Sequence, residues 1–217
     1  MNKRALLLLG GTWHAFEAFR QWLTPLLADC GYDVLTTYDM DALLQLQGVD
    51  LVVQYTSFGV HPQFPEAVPG LANNQAQALA DWVAGGGKLL GVHSATVVGP
   101  EPNPTQEALL GARFVEHPPQ FAFTVYPVAR MHPPIADVEA FTVHDEFYMQ
   151  AYGDDIAIHM VALDRGQAHP MVWTRPHGAG AVAYIGMGHS AAVWTLPPYD
   201  RLFRNAVGWF ETVGQGE

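Results

Sequence analysis

Gly85-Gly86-Gly87-Lys88-Leu89-Leu90-Gly91-Val92-His93-Ser94-Ala95 reads as a helix stop, a short buried strand and an abrupt turn. Glycine accepts the left-handed backbone at a helix end, so the triple glycine closes a helix whose inner face is Ala76, Leu79, Ala80 and Val83. Residues 88–92 read as a strand and, after Lys88, carry no polar side chain and no alternation, as expected of a strand covered on both faces in a parallel sheet.

The same pairing of short apolar run and helical face extends upstream. Residues 5–9, 34–36 and 51–55 read as strands. Phe16, Phe19, Trp22, Leu23, Leu26 and Leu27 recur at helical steps, with Pro25 expected to break or restart that helix and Thr24 to cap the second piece. Residues 42–46 read as a short helix, and a long loop carries Pro62, Pro65 and Pro69.

Downstream of Gly99, the prolines at 100, 102 and 104 change the style. A short helix is expected near 106–110, and peripheral mixed or antiparallel strands at 121–125 and 141–143. Strands at 156–163, 171–174 and 181–185 follow, then an amphipathic helix presenting Tyr199, Leu202, Phe203, Ala206, Val207 and Phe210. The whole predicts one domain, 1–217, of α/β class: a three-layer doubly wound, mostly parallel sheet with peripheral antiparallel strands.

Of the 217 residues, 49% are hydrophobic and 14% charged, and ten bases against 21 acids give a net charge of −11. No basic run exceeds Lys3-Arg4, which speaks against a nucleic-acid surface. The single cysteine, Cys30, read as a buried thiol at a helix end, rules out an internal disulfide and fits a reducing compartment. No apolar run approaches the ~18 residues of a membrane span, and five apolar residues before Gly10 are too few for a signal peptide. The expected location is cytoplasmic. Sparse charge with many aromatics suggests a homo-oligomer.

In doubly wound sheets, chemistry gathers at the carboxyl ends of the parallel strands. Three histidines fall there: His14 after Gly10-Gly11-Thr12-Trp13, His93 after Gly91-Val92, and His189 after Gly186-Met187-Gly188. Imidazole is the commonest nitrogen ligand of zinc, and three protein ligands with an open position suit catalysis. His14, His93 and His189 are therefore candidate ligands of a divalent metal, with zinc expected. Glu146 could add a ligand oxygen or serve as a base. The turn after residue 92 places His93 where a hydrolase or amidotransferase elbow would carry serine or cysteine, so neither nucleophile is present. Ser94 reads as a helix cap or a ligand-binding hydroxyl. Gly10-Gly11 lacks the frame of a dinucleotide-binding loop and no Walker lysine follows, so no nucleotide cofactor is expected.

Gly10-Gly11-Thr12-Trp13-His14, Gly91-Val92-His93-Ser94-Ala95, Phe114-Val115-Glu116-His117-Pro118, His132-Pro133, Asp145-Glu146-Phe147-Tyr148, Pro170-Met171-Val172-Trp173 and Gly186-Met187-Gly188-His189 occur in order over almost the whole chain. This set resembles the ThuA-like family, named for trehalose utilisation. The resemblance implies a class I glutamine amidotransferase-like (flavodoxin-like) fold without the amidotransferase cysteine, and a role in disaccharide metabolism passing through 3-keto glycosides. The stretch Met131-His132-Pro133-Pro134-Ile135 departs from the family's usual His-Pro-Ile.

The reading that follows is a metal-assisted enzyme acting on a keto-sugar or disaccharide derivative. Glu146, His93 and His132 are its candidate catalytic residues, and Trp13, His117, Tyr148 and Ser94 its candidate substrate contacts. Proton abstraction beside a carbonyl would serve isomerisation or elimination, and hydrolysis stays open. The rival reading is a noncatalytic sugar-binding or regulatory module on an amidotransferase-like scaffold. A serine esterase using Ser94 is a third.

Overall fold

The computed structural model describes residues 3–59, 70–128 and 132–213; the loop expected around Pro62, Pro65 and Pro69 lies outside them. In chain order the elements begin β1 (Lys3–Gly11), α1 (Phe16–Asp29), β2 (Tyr32–Thr37), β3 (Leu51–Ser57), α2 (Asn73–Ala84) and β4 (Lys88–Val92). They continue α3 (Pro104–Leu110), β5 (Ala112–Glu116), β6 (Phe121–Pro127), β7 (Phe141–Asp145), β8 (Met149–Tyr152) and β9 (Ala157–Asp164). β10 (Gln167–His177), β11 (Gly180–Ile185), α4 (Ala191–Trp194) and α5 (Pro197–Phe210) complete the chain.

Nine strands form one sheet in the order β2-β1-β3-β4-β11-β10-β9-β6-β7. The first five pair in parallel, and the remainder are added antiparallel from β10 outward. The expected mixed α/β architecture is thus present. After β1 the chain turns back to β2 on one side, then crosses to β3 on the other, so the strand order reverses between β1 and β3. A crevice at the carboxyl ends of the strands follows from that reversal.

The apolar run of β1 divides between two cores, because successive side chains of a strand point to opposite faces. Ala5, Leu7 and Leu9 pack in the core containing α1 and α5, whereas Leu6 and Leu8 pack in the core containing α2 and α3. Both faces of the parallel half are therefore covered. The α1/α5 core continues along one face of the antiparallel half through Phe123, Val125, Val143, Met160 and Ala162.

Several local expectations are corrected. α1 runs unbroken through Pro25, and Thr24 lies within it and caps nothing. Proline inside a helix costs about 3 kcal/mol. Leu23, Leu26 and Leu27 are buried around it, each contributing about 1.5–3 kcal/mol. That burial outweighs the lost backbone bond. The short helix expected at 42–46 is a tighter 3₁₀ turn at Met40–Leu44, with Asp39 capping it through the Asp41 N–H. Strands β5 and β8 were not foreseen; they pair antiparallel as a separate two-stranded sheet. Cys30 ends α1 as expected but is only half-buried.

Candidate functional site

His14, His93 and His189 leave the carboxyl ends of β1, β4 and β11, and Glu146 follows β7. One donor atom from each of the four lies within 4.8 Å of all the others. Glu146 Oε2 sits 3.3 Å from His93 Nε2 and 3.2 Å from His189 Nδ1. Donors of a four-coordinate zinc, at about 2.0–2.1 Å from the ion, are roughly 3.4 Å apart.

Each imidazole is oriented from behind. His93 Nδ1 donates to the Gly186 carbonyl at 2.8 Å and His14 Nδ1 to the Thr12 carbonyl at 3.1 Å, which turns both Nε2 atoms toward the cluster. His14 Nε2 and His189 Nδ1 are buried without a hydrogen-bond partner among the described residues, the latter lying 3.2 Å from Glu146 Oε2 as a charge contact. Two buried nitrogens aimed at one point beside a carboxylate form a donor set that an imidazole- and oxygen-preferring divalent cation fits.

The electrostatics agree. Burial, with repulsion from His93, lowers the His14 pKa to about 3, so this imidazole is neutral and able to ligate. Burial alone would raise the Glu146 carboxyl, yet the His189 and His93 imidazoles beside it hold it far below the carboxylate range. Burial works against protonation of His189, but Glu146 beside it raises its pKa overall.

The turn bearing His93 is strained: its φ is +45°, a region that costs a non-glycine residue about 1–3 kcal/mol. The Tyr184 hydroxyl donates to the His93 carbonyl and fixes that conformation. On the opposite wall, Gly11 has φ +105°, and a Cβ there would lie 1.9 Å from the Ser57 carbonyl oxygen. β1 and β3 can therefore approach closely just below His14 only because residue 11 is glycine.

Sequence reasoning overlooked Asp145. Its carboxylate is buried and accepts the N–H of Gly188 at 2.7 Å and of His189 at 3.2 Å. The Gly188 carbonyl in turn accepts from Tyr55 Oη at 3.0 Å and Trp194 Nε1 at 2.6 Å. The loop carrying His189 is thus held on both edges of one peptide. The Asp-Glu pair was visible in the sequence, but nothing there says which carboxylate turns inward to the backbone.

A cavity of about 470 Å³ opens over the cluster, lined by His14, Glu146, Trp13, Phe114, His117 and Tyr148 among others. The predicted contacts Trp13, His117 and Tyr148 are therefore at the site. The Tyr148 ring stacks on His93 at 4.1 Å between centroids and on His117 at 5.6 Å. His117 Nε2 stands 3.7 Å from Glu146 Oε1, near the rim. A wider cleft of about 660 Å³, beside Trp22, Arg201 and Arg204, contains none of the four donors.

Two predicted residues are elsewhere. Ser94 is buried inside a single 3₁₀ turn at His93–Thr96, does not line the cavity, and gives no side-chain cap, so its expected capping role is withdrawn. The sharp turn at His93 directs its neighbour into the protein. His132 is not among the four converging side chains; its ring lies 4.1 Å from that of His159, which donates to or accepts from Thr174 Oγ1 at 2.7 Å. A histidine before proline is extended locally, but that does not fix which wall it joins.

Comparison with known proteins matches residues 4–210 to the ThuA family model, described as trehalose utilisation. No curated protein sequence matches the chain. Among solved structures, a ThuA-like protein from Parabacteroides merdae is 16% identical over 98% of this chain and 91% of its own, with a TM-score of 0.78. One from Bacteroides uniformis is 18% identical over 96% of this chain and 91% of its own, with a TM-score of 0.71. A β-galactosidase from Rahnella sp. R3 shares the fold at 14% identity and a TM-score of 0.66, over 98% of this chain but 32% of its own. Among the described residues, no helix is long and apolar enough to cross a membrane.

Proposed function

For a chain that belongs to the ThuA family, described as trehalose utilisation, we propose an enzyme of sugar metabolism that is assisted by a divalent metal, with zinc the first candidate. It acts on a keto-sugar or an oxidised disaccharide by removing a proton beside the carbonyl. The observation that carries this reading is the convergence of His14, His93, His189 and Glu146, with two of the imidazole nitrogens buried and unpartnered.

His14 and His93 would hold the cation through Nε2, His189 through Nδ1, and Glu146 through Oε2. Such a cation, when bound, supplies Lewis-acid polarisation of a carbonyl oxygen and so acidifies the neighbouring C–H. Glu146 Oε1 lies on the His117 side, 3.7 Å from its Nε2, and we assign it as the atom that accepts the proton. His117, nearer the rim, would share that proton with Glu146, which returns it to the adjacent carbon in an isomerisation or to the departing glycosidic oxygen as the C–O bond breaks in an elimination. Trp13 and Tyr148 wall the cavity with aromatic faces that suit the C–H face of a sugar ring, and their bulk limits water at the reacting carbon.

The test is elemental analysis of tag-free protein and of its His14→Ala, His93→Ala and His189→Ala variants, followed by turnover assays on 3-keto disaccharides. Near-stoichiometric metal that is lost in folded variants, together with turnover that falls in parallel, is expected. A protein that takes up no divalent metal even on reconstitution ends the reading. If it still binds sugar without turnover, the noncatalytic module replaces the enzyme.

A further inference from the structure

Val97 and Phe114 wall two compartments at once. On one side is the cavity over Glu146; on the other is a smaller pocket of about 110 Å³ reached by Thr96, Pro100, Glu107 and Arg113. Phe114 sits at the division, its ring 4.5 Å from that of Tyr148. Arg113 is its neighbour on β5, and Glu107 lies in α3.

The charges of these compartments are distinctive. No lysine or arginine lines the inner cavity among the described residues. In the smaller pocket the charged lining residues are Glu107 and Arg113. Arg113 Nε stands 3.6 Å from Glu107 Oε2, and Glu107 Oε1 also accepts the Asn103 N–H at 3.2 Å. A donor fork therefore lies beside an anchored acceptor, in a contact longer than a good hydrogen bond. The Arg113 side chain is 48% exposed. Pairs this exposed are weak, so a ligand can enter between them at little cost.

We propose that Glu107 and Arg113 form an outer subsite for the second ring of an uncharged two-ring glycoside whose first ring occupies the cavity over Glu146. This rests on the sugar-metabolising reading above. Neighbouring hydroxyls on a sugar ring each donate and accept, so they satisfy a guanidinium and a carboxylate together. A phosphate on that second ring would gain Arg113 but meet the Glu107 carboxylate at the same place. The outer pair thus selects a second ring and disfavours a phosphorylated one.

Isothermal titration of the full chain and of Arg113→Met with methyl α-D-glucoside, α,α-trehalose and trehalose 6-phosphate tests this, with circular dichroism to check the fold. The wild type should bind the two-ring sugar about tenfold more tightly than the one-ring sugar, a difference of about 1.4 kcal/mol. Arg113→Met should erase that preference while leaving one-ring affinity within about twofold, a change of well under 1 kcal/mol. Equal weakening of both sugars, or no change in either, overturns the subsite while sparing the reading of the inner site. Tighter binding of the phosphorylated sugar than of trehalose overturns the neutral-ligand assignment. Failure of the wild type to bind either unphosphorylated sugar overturns the subsite, whereas the inner-site reading stands or falls by the metal and 3-keto disaccharide assays above.

Discussion

The carboxylate of Asp145 receives the backbone N–H of Gly188 at 2.7 Å, and its neighbour in sequence, Glu146, faces the imidazole of the residue after Gly188. Two adjacent acids thus grip one loop by its main chain and by its side chain. Asp145→Asn replaces one accepting oxygen with an amide that opposes an N–H. Outer-shell changes of this type cost about 10–100-fold in metal affinity. That loss should appear in competition with a chromophoric chelator, and the buried N–H left unmatched should lower stability by about 1–3 kcal/mol in urea unfolding.

His93 combines a donor role with an unfavourable backbone. Its φ of +45° suits glycine, and alanine does not relieve it. His93→Gly and His93→Ala should both abolish metal binding, yet the glycine variant should be the more stable by about 1 kcal/mol. Chemical denaturation of the two proteins, both metal-free, gives the comparison directly; an alanine variant as stable as the glycine one would deny the strain.

Gly11 offers a steric test at the opposite wall. Gly11→Ala would place a methyl 1.9 Å from the Ser57 carbonyl oxygen at a backbone angle of +105°. The expected loss is about 3 kcal/mol or more, among the large effects of single substitutions. Thermal unfolding should show it as a lower midpoint, and metal uptake should fall because His14 is displaced with β1.

His159 supplies a pH dependence away from the cluster. Burial, and secondarily His132, lowers its pKa from 6.5 to about 4. Between those values the unfolded chain binds a proton that the folded chain refuses. Stability therefore falls as pH drops from about 6.5 toward about 4, and this contribution is constant above that window. Urea midpoints at pH 7 and pH 5, with chelator present, should diverge less in His159→Gln than in the wild type.

The sequence made the parallel half of the sheet readable because strands covered on both faces are continuous apolar runs: residues 88–92 match β4 residue for residue. The three histidines were readable for a related reason, since each follows such a run through glycine at the edge where this topology opens. β5 and β8 were not, because half-exposed strands such as Ala112–Glu116 carry no clear alternation. Pro25 misled because local propensity ignores the leucines that tertiary packing buries around it. Asp145, Ser94 and His132 depend on which way a side chain turns after a bend, and that is decided by neighbours distant in sequence.

The four converging donors lie at positions 14, 93, 146 and 189, so the cluster draws on segments separated by most of the polypeptide. Contacts of such long range form late in folding. A chain still emerging from the ribosome therefore lacks the cluster until its last strand has docked, and a cation held there would bind only the finished fold. Occupancy would then act as a seal, adding stability to the mature protein that grows with the logarithm of the free ion and none to its partly folded precursors.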